Sequence, residues 1–67
     1  MRVSTIANNL INGNLTDAKR GARSVGGQRL YNYFLGIGWS EKKANAAAMY
    51  LKYPSQGTYN NYCAILD

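Results

Sequence analysis

Val3-Ser4-Thr5-Ile6-Ala7-Asn8-Asn9-Leu10-Ile11 is the stretch whose reading decides the fold. Val3, Ile6, Ala7, Leu10 and Ile11 recur at the i, i+3, i+4, i+7, i+8 spacing that gathers apolar side chains on one helical face. Asn12-Gly13-Asn14 then stops the pattern, because glycine and asparagine tolerate the left-handed conformation that closes a helix. No segment alternates apolar and polar residues as a half-buried strand would, so the expectation is all-helical.

Outward from that helix, Thr16 is the expected N-cap of a second one reaching Ser24, with Asp17 in its first turn and Leu15 as a hydrophobic staple. Ala18, Ala22 and Val25 would face inward. Gly26-Gly27 breaks the chain before a third helix from Gln28 to Leu35, which turns Leu30 and Phe34 to the core, with Tyr33 a further candidate, and ends on Gly36 as C-cap. Ser40 caps a fourth helix running to Tyr53, where Ala44, Ala47, Ala48 and Leu51 share a face and Pro54 marks the stop. Thr58 is the expected cap of a last helix from Tyr59 to Leu66, which buries some of Tyr62, Cys63 and Leu66. The expected architecture is a compact bundle of about five short helices in a single domain spanning residues 1–67, with mostly local contacts.

A chain of 67 residues lies near the lower limit for one hydrophobic core without staples, so the expected net stability is roughly 3–5 kcal/mol. Cys63 has no second cysteine to pair with, which suits a reducing cytoplasm. The segment Met1-Arg2-Val3-Ser4-Thr5 carries one positive side chain, but Asn8, Asn9 and Asn12 interrupt it before an apolar run of signal-peptide length forms. No run of apolar residues is long enough to span a bilayer. The expectation is a soluble, unprocessed, cytoplasmic protein without membrane contact.

Composition also narrows the chemistry. The chain has no histidine, one cysteine and three acidic side chains against eight lysines and arginines, for a net charge of +5. General acid-base and nucleophilic catalysis draw on groups that are nearly missing. Ser40 and Lys43 stand in no recognisable nucleophile–base spacing, and Gly36-Ile37-Gly38 lacks the following glycine of a dinucleotide loop. There is no Cys/His cluster for zinc, and Asp17, Glu41 and Asp67 are too dispersed for a calcium loop. No catalytic residue, metal ligand or cofactor site is therefore expected, and the chain reads as a non-enzyme.

The candidate contact residues are cationic and aromatic. At about 100° per residue, Lys19, Arg20 and Arg23 fall on the arc opposite Ala18 and Ala22, with Arg29 across the glycine break. Such a patch suits phosphates or carboxylates, and its plain structural reading is a solvated helix face. Six tyrosines cannot all be central in so small a core, and Tyr31, Tyr53 and Tyr59 are the expected exposed rings. These seven residues form the expected partner-binding set. Rings set among Arg29, Lys42, Lys43 and Lys52 would also suit stacking on unpaired bases. Thr16 to Leu35 matches a helix-turn-helix only loosely, through Ala22, Gly26 and Leu30. Trp39 reads as the anchor of its turn.

Two resemblances add to this. Ile37-Gly38-Trp39-Ser40 with Ala44 and Ala47 is similar to the Met-Gly-Phe loop and following helix of ubiquitin-associated domains, a likeness that runs on through the final helix. Ile37 replaces the methionine, Ala48 stands where a larger apolar residue is usual, and the charge is basic, so the likeness implies a helix packing geometry and not ubiquitin binding. Taken whole, the order Asn12-Gly13-Asn14-Leu15-Thr16-Asp17-Ala18-Lys19, then Gly36-Ile37-Gly38-Trp39-Ser40, then Tyr50-Leu51-Lys52, Gly57-Thr58-Tyr59 and Tyr62-Cys63, resembles small accessory proteins of tailed bacteriophages. That resemblance implies a non-enzymatic protein in the host cytoplasm that binds and modulates or inhibits a host protein or nucleoprotein complex, defence systems included, as the anti-CRISPR proteins do. The alternative from the residues themselves is direct DNA or RNA binding through Lys19, Arg20, Arg23 and Arg29. A third reading, from surface tyrosines on a marginal monomer, is self-association.

Overall fold

Each local signal resolves into a helix. The computed structural model describes residues 2–66, and along them run α1 (Val3–Ile11), α2 (Leu15–Ala22), α3 (Gly27–Gly36), α4 (Glu41–Lys52) and α5 (Gln56–Leu66). There is no strand among the described residues, so the all-helical bundle expected from periodicity is the observed one. None of these helices is long and apolar enough to cross a membrane.

Two of the turns are built alike. After α1, Gly13 adopts φ +83°, its N–H donates to the Leu10 carbonyl at 3.2 Å, and the Asn14 N–H donates to Asn9 at 2.8 Å. After α3, Gly38 adopts φ +98°, its N–H donates to Leu35 at 3.0 Å, and the Trp39 N–H donates to Phe34 at 3.0 Å. Both pairs of bonds satisfy the last helical carbonyls in the Schellman pattern. In the second turn the apolar contact that accompanies this motif is a stack of Trp39 on Phe34, centroids 4.4 Å apart and planes 14° from parallel. Trp39 is thus the anchor of its turn. The expectation that Gly36 closes α3 is corrected: Gly36 is its last helical residue, and the left-handed position falls on Gly38.

Other ends also shift. α2 starts at Leu15, so Thr16 lies inside its first turn and does not cap it; the Asn14 carbonyl accepts the Ala18 N–H at 3.0 Å. The packing of Leu15 against the core draws that residue into the helix. At the other end α2 stops at Ala22, and tighter i→i−3 bonds carry the chain through Arg23 and Ser24. Ser40 caps α4 as expected, accepting the Lys43 N–H at 3.2 Å. α5 begins earlier than expected because two hydroxyls act together. Ser55 Oγ accepts the Thr58 N–H at 3.2 Å, and Thr58 Oγ1 accepts the Ser55 N–H at 2.9 Å, a reciprocal capping box that puts Thr58 within the first turn.

α4 is the centre of the bundle. It packs against α3, α5 and α2, while α1 lies against α2 and α3. Ala44, Ala46, Ala47 and Ala48 are all buried on it, and side chains this small let neighbours approach on several sides. Phe34, Ile6, Leu30 and Leu51 are the largest fully buried side chains, each contributing about 1.5–3 kcal/mol by burial. Val3, Ala7, Leu10, Ala18, Ala22, Val25, Tyr50 and Tyr62 complete the core around them.

Candidate functional site

The cations of α2 follow from its amphipathic pattern. Ala18, Gly21 and Ala22 turn inward, which leaves Arg20 and Arg23 exposed and Lys19 half-buried at the edge. The Lys19 ammonium rests over the Tyr50 ring, 5.6 Å from its centroid. Lys19, Arg20 and Arg23 then line one groove of about 400 Å³ together with Thr16, Leu51, Lys52 and Pro54. The groove thus joins two cations of α2 and one just past its end to a fourth from the end of α4.

Lys52 is the residue that sequence reasoning left out of this cluster. Its Nζ donates to the Ala22 carbonyl at 3.1 Å, a bond across thirty residues of chain. That carbonyl also accepts the Val25 N–H at 3.1 Å. A helix C-terminus carries roughly half a negative charge, and the Lys52 ammonium answers it directly. Lys19, Arg20 and Arg23 therefore add positive charge that the end of α2 does not require. The position of Lys52 in the last turn of α4 was visible in the sequence, but not which helix end it would meet.

Arg29 is not part of this cluster. It is exposed on α3 and lines a separate groove with Arg2, Val3, Ser4, Asn32 and Tyr33. The glycine break reorients the chain between Arg23 and Arg29, so the patch extends to Lys52 instead.

The three tyrosines expected at the surface divide. Among the described residues Tyr53 is the most exposed large apolar side chain at 65 %, and Tyr59 is also exposed. Tyr31 is half-buried against the core, contrary to expectation, because its turn of α3 faces α4. Tyr31 and Tyr53 flank a groove between α3 and α4 whose wall includes the exposed Met49. Tyr59 lies apart from them, with its ring 5.4 Å from that of Tyr50. Its neighbour Cys63, through hydrogen bonding first and charge second, raises the Tyr59 phenol above its ordinary pKa. The seven candidate contact residues are thus spread over several faces: Lys19, Arg20 and Arg23 share one groove, Tyr31 and Tyr53 share another, and Tyr59 lines a small hollow with Lys19.

Among the described residues no group of His, Cys, Asp and Glu side chains gathers as metal ligands. No protein-family model matches the chain, and neither a curated protein sequence nor a solved structure matches it significantly.

Proposed function

We propose that this protein is a non-catalytic binding module that attaches to an acidic site on a macromolecular partner and modulates or inhibits the partner by occupying that site. The observation that carries this reading is the convergence of Lys19, Arg20, Arg23 and Lys52 around one groove, with both arginines exposed. Arginine forks pair with carboxylates or phosphates in two-point contacts, and a net charge of +5 steers the approach. Following the resemblance to bacteriophage accessory proteins, the partner is a host protein or nucleoprotein complex, defence systems among them, met in the host cytoplasm.

Affinity capture from host lysate with and without nuclease, using the natural chain and an Arg20→Glu/Arg23→Glu variant, tests the reading. The variant is expected to lose the partner while its circular dichroism stays helical. Unchanged capture would remove the groove from the contact.

The second reading is direct nucleic-acid binding, favoured by the placement of Tyr53. This exposed ring lines the α3–α4 groove, which shares Lys52 with the cationic groove, so a base stacked on Tyr53 would lie beside a cation while neighbouring phosphates meet Lys19, Arg20 and Arg23. Titration with short single-stranded and duplex oligonucleotides at two salt concentrations separates the two readings. Three phosphate contacts from Lys19, Arg20 and Arg23 predict a log–log salt slope of roughly −2 for single strands.

A further inference from the structure

α5 packs along α4, and the corner where α1 turns into α2 stands away from it. Between them lies a cleft of about 390 Å³, within the range of roughly 300–1,000 Å³ typical of small-molecule sites. The corner contributes Leu10, Ile11, Gly13 and Leu15, and α5 contributes Tyr59, Tyr62, Cys63 and Leu66. Ile11 is 55 % exposed and Leu66 49 %, so two large apolar side chains line a concave space and still face solvent. Trp39 and Lys43 complete the wall. The Lys43 ammonium lies over the indole, 4.0 Å from its centroid, and this ties the one lysine of the lining to the apolar surface. None of these residues lines the cationic groove at the end of α2.

We propose that this cleft binds a free single-chain amphiphile, its hydrocarbon chain lying between the α1–α2 corner and α5 and its anionic head paired with Lys43. An alkyl chain would remove apolar walls and both exposed lips from water, which is the favourable term for such a site. A negative head complements Lys43, whereas a positive one meets its repulsion. A helix with side chains, about 10–12 Å across, is a poorer match to a cleft of this volume than a single alkyl chain. A second copy would bring the same +5 charge with it.

Trp39 is the only tryptophan, so its fluorescence reports on the cleft directly. The probes are decanoate below its micelle concentration, decanol and decylammonium, titrated into the full chain. Decanoate is expected to give a saturable change and to bind more tightly than either of the others. Lys43→Gln should weaken decanoate roughly five- to tenfold and leave decanol unchanged. Ile11→Glu should weaken both. Decanoate should also slow alkylation of Cys63 by iodoacetamide, a readout independent of the indole, and circular dichroism confirms that each variant is folded. Equal affinity for the three probes, a response that never saturates, or a Lys43→Gln variant that binds decanoate as before overturns the proposal. So does a Trp39 signal that follows protein concentration without ligand, which marks a second copy. Tighter binding to anionic phospholipid vesicles than to free decanoate also overturns it, in favour of a membrane surface.

Discussion

Lys52 Nζ reaches the carbonyl oxygen of Ala22 at 3.1 Å and so joins the end of α4 to the end of α2. One ammonium closes the last turn of one helix, fixes the distance between two helices and contributes to the wall of the cationic groove. Its stem also passes Gly27, where a β-carbon would stand 3.5 Å from the Lys52 Cγ. Structure and candidate function thus meet in this side chain.

Lys52→Met keeps most of the stem and removes the charge and the donor. The loss of a charge-assisted, part-buried bond at a helix end is expected to cost about 1–2 kcal/mol. Urea denaturation followed by circular dichroism measures it. An unchanged midpoint would mean that the ammonium contributes nothing to holding α2 on α4.

Gly36 and Gly38 are expected to respond in opposite directions to alanine. Gly38 has φ +98°, so a β-carbon there is strained even though nothing crowds it, and Gly38→Ala should cost about 1 kcal/mol. Gly36 is helical with open space around it, and Gly36→Ala should add about 0.5 kcal/mol by restricting the unfolded chain. Thermal denaturation of the pair checks the signs.

Thr58 Oγ1 accepts the Ser55 N–H and is placed to donate to the Tyr53 carbonyl at 2.9 Å, so it ties the start of α5 to the end of the preceding turn. Thr58→Ala is expected to cost about 1 kcal/mol and to speed amide hydrogen exchange in the first turn of α5. Exchange rates equal to those of the natural chain would refute the capping role.

Burial pushes the Tyr62 phenol above its ordinary value of 10.0, and the nearby Cys63 and Tyr50 act in the same direction. Below that value the group is neutral in folded and unfolded chains alike, and its contribution to stability is fully present. As pH rises further the unfolded chain releases its proton first, so stability falls until the folded group ionises as well. Comparison of natural chain and Tyr62→Phe by chemical denaturation at about pH 8 and about pH 11 isolates the effect. The natural chain should lose more stability than the variant over that interval.

Local physics made the helices legible. The spacing of Val3, Ile6, Ala7 and Leu10, the hydroxyl of Ser40 and the glycines after α1 and α3 act within a few residues of themselves. Spacing pointed to Thr58 and Gly36 as the end signals of α5 and α3, and the helix ends fall instead on Ser55 and Gly38, which carry the same kind of signal two or three residues away. The reciprocal bonds of Ser55 and Thr58 set the start of α5, and the stack of Trp39 on Phe34 accompanies the left-handed turn at Gly38.

By itself the sequence determined an all-helical chain, its inward faces, its excess of positive charge and its poverty in groups that move protons. Only the tertiary structure decided that Lys52 joins Lys19, Arg20 and Arg23, that Arg29 stands apart with Arg2, and that α5 leaves an apolar cleft beside the α1–α2 corner. Periodicity assigns a side chain to a face of its own helix. Which other helix meets that face depends on how the alanines of α4 and the rings of α3 and α5 pack, and such contacts join residues far apart in the chain.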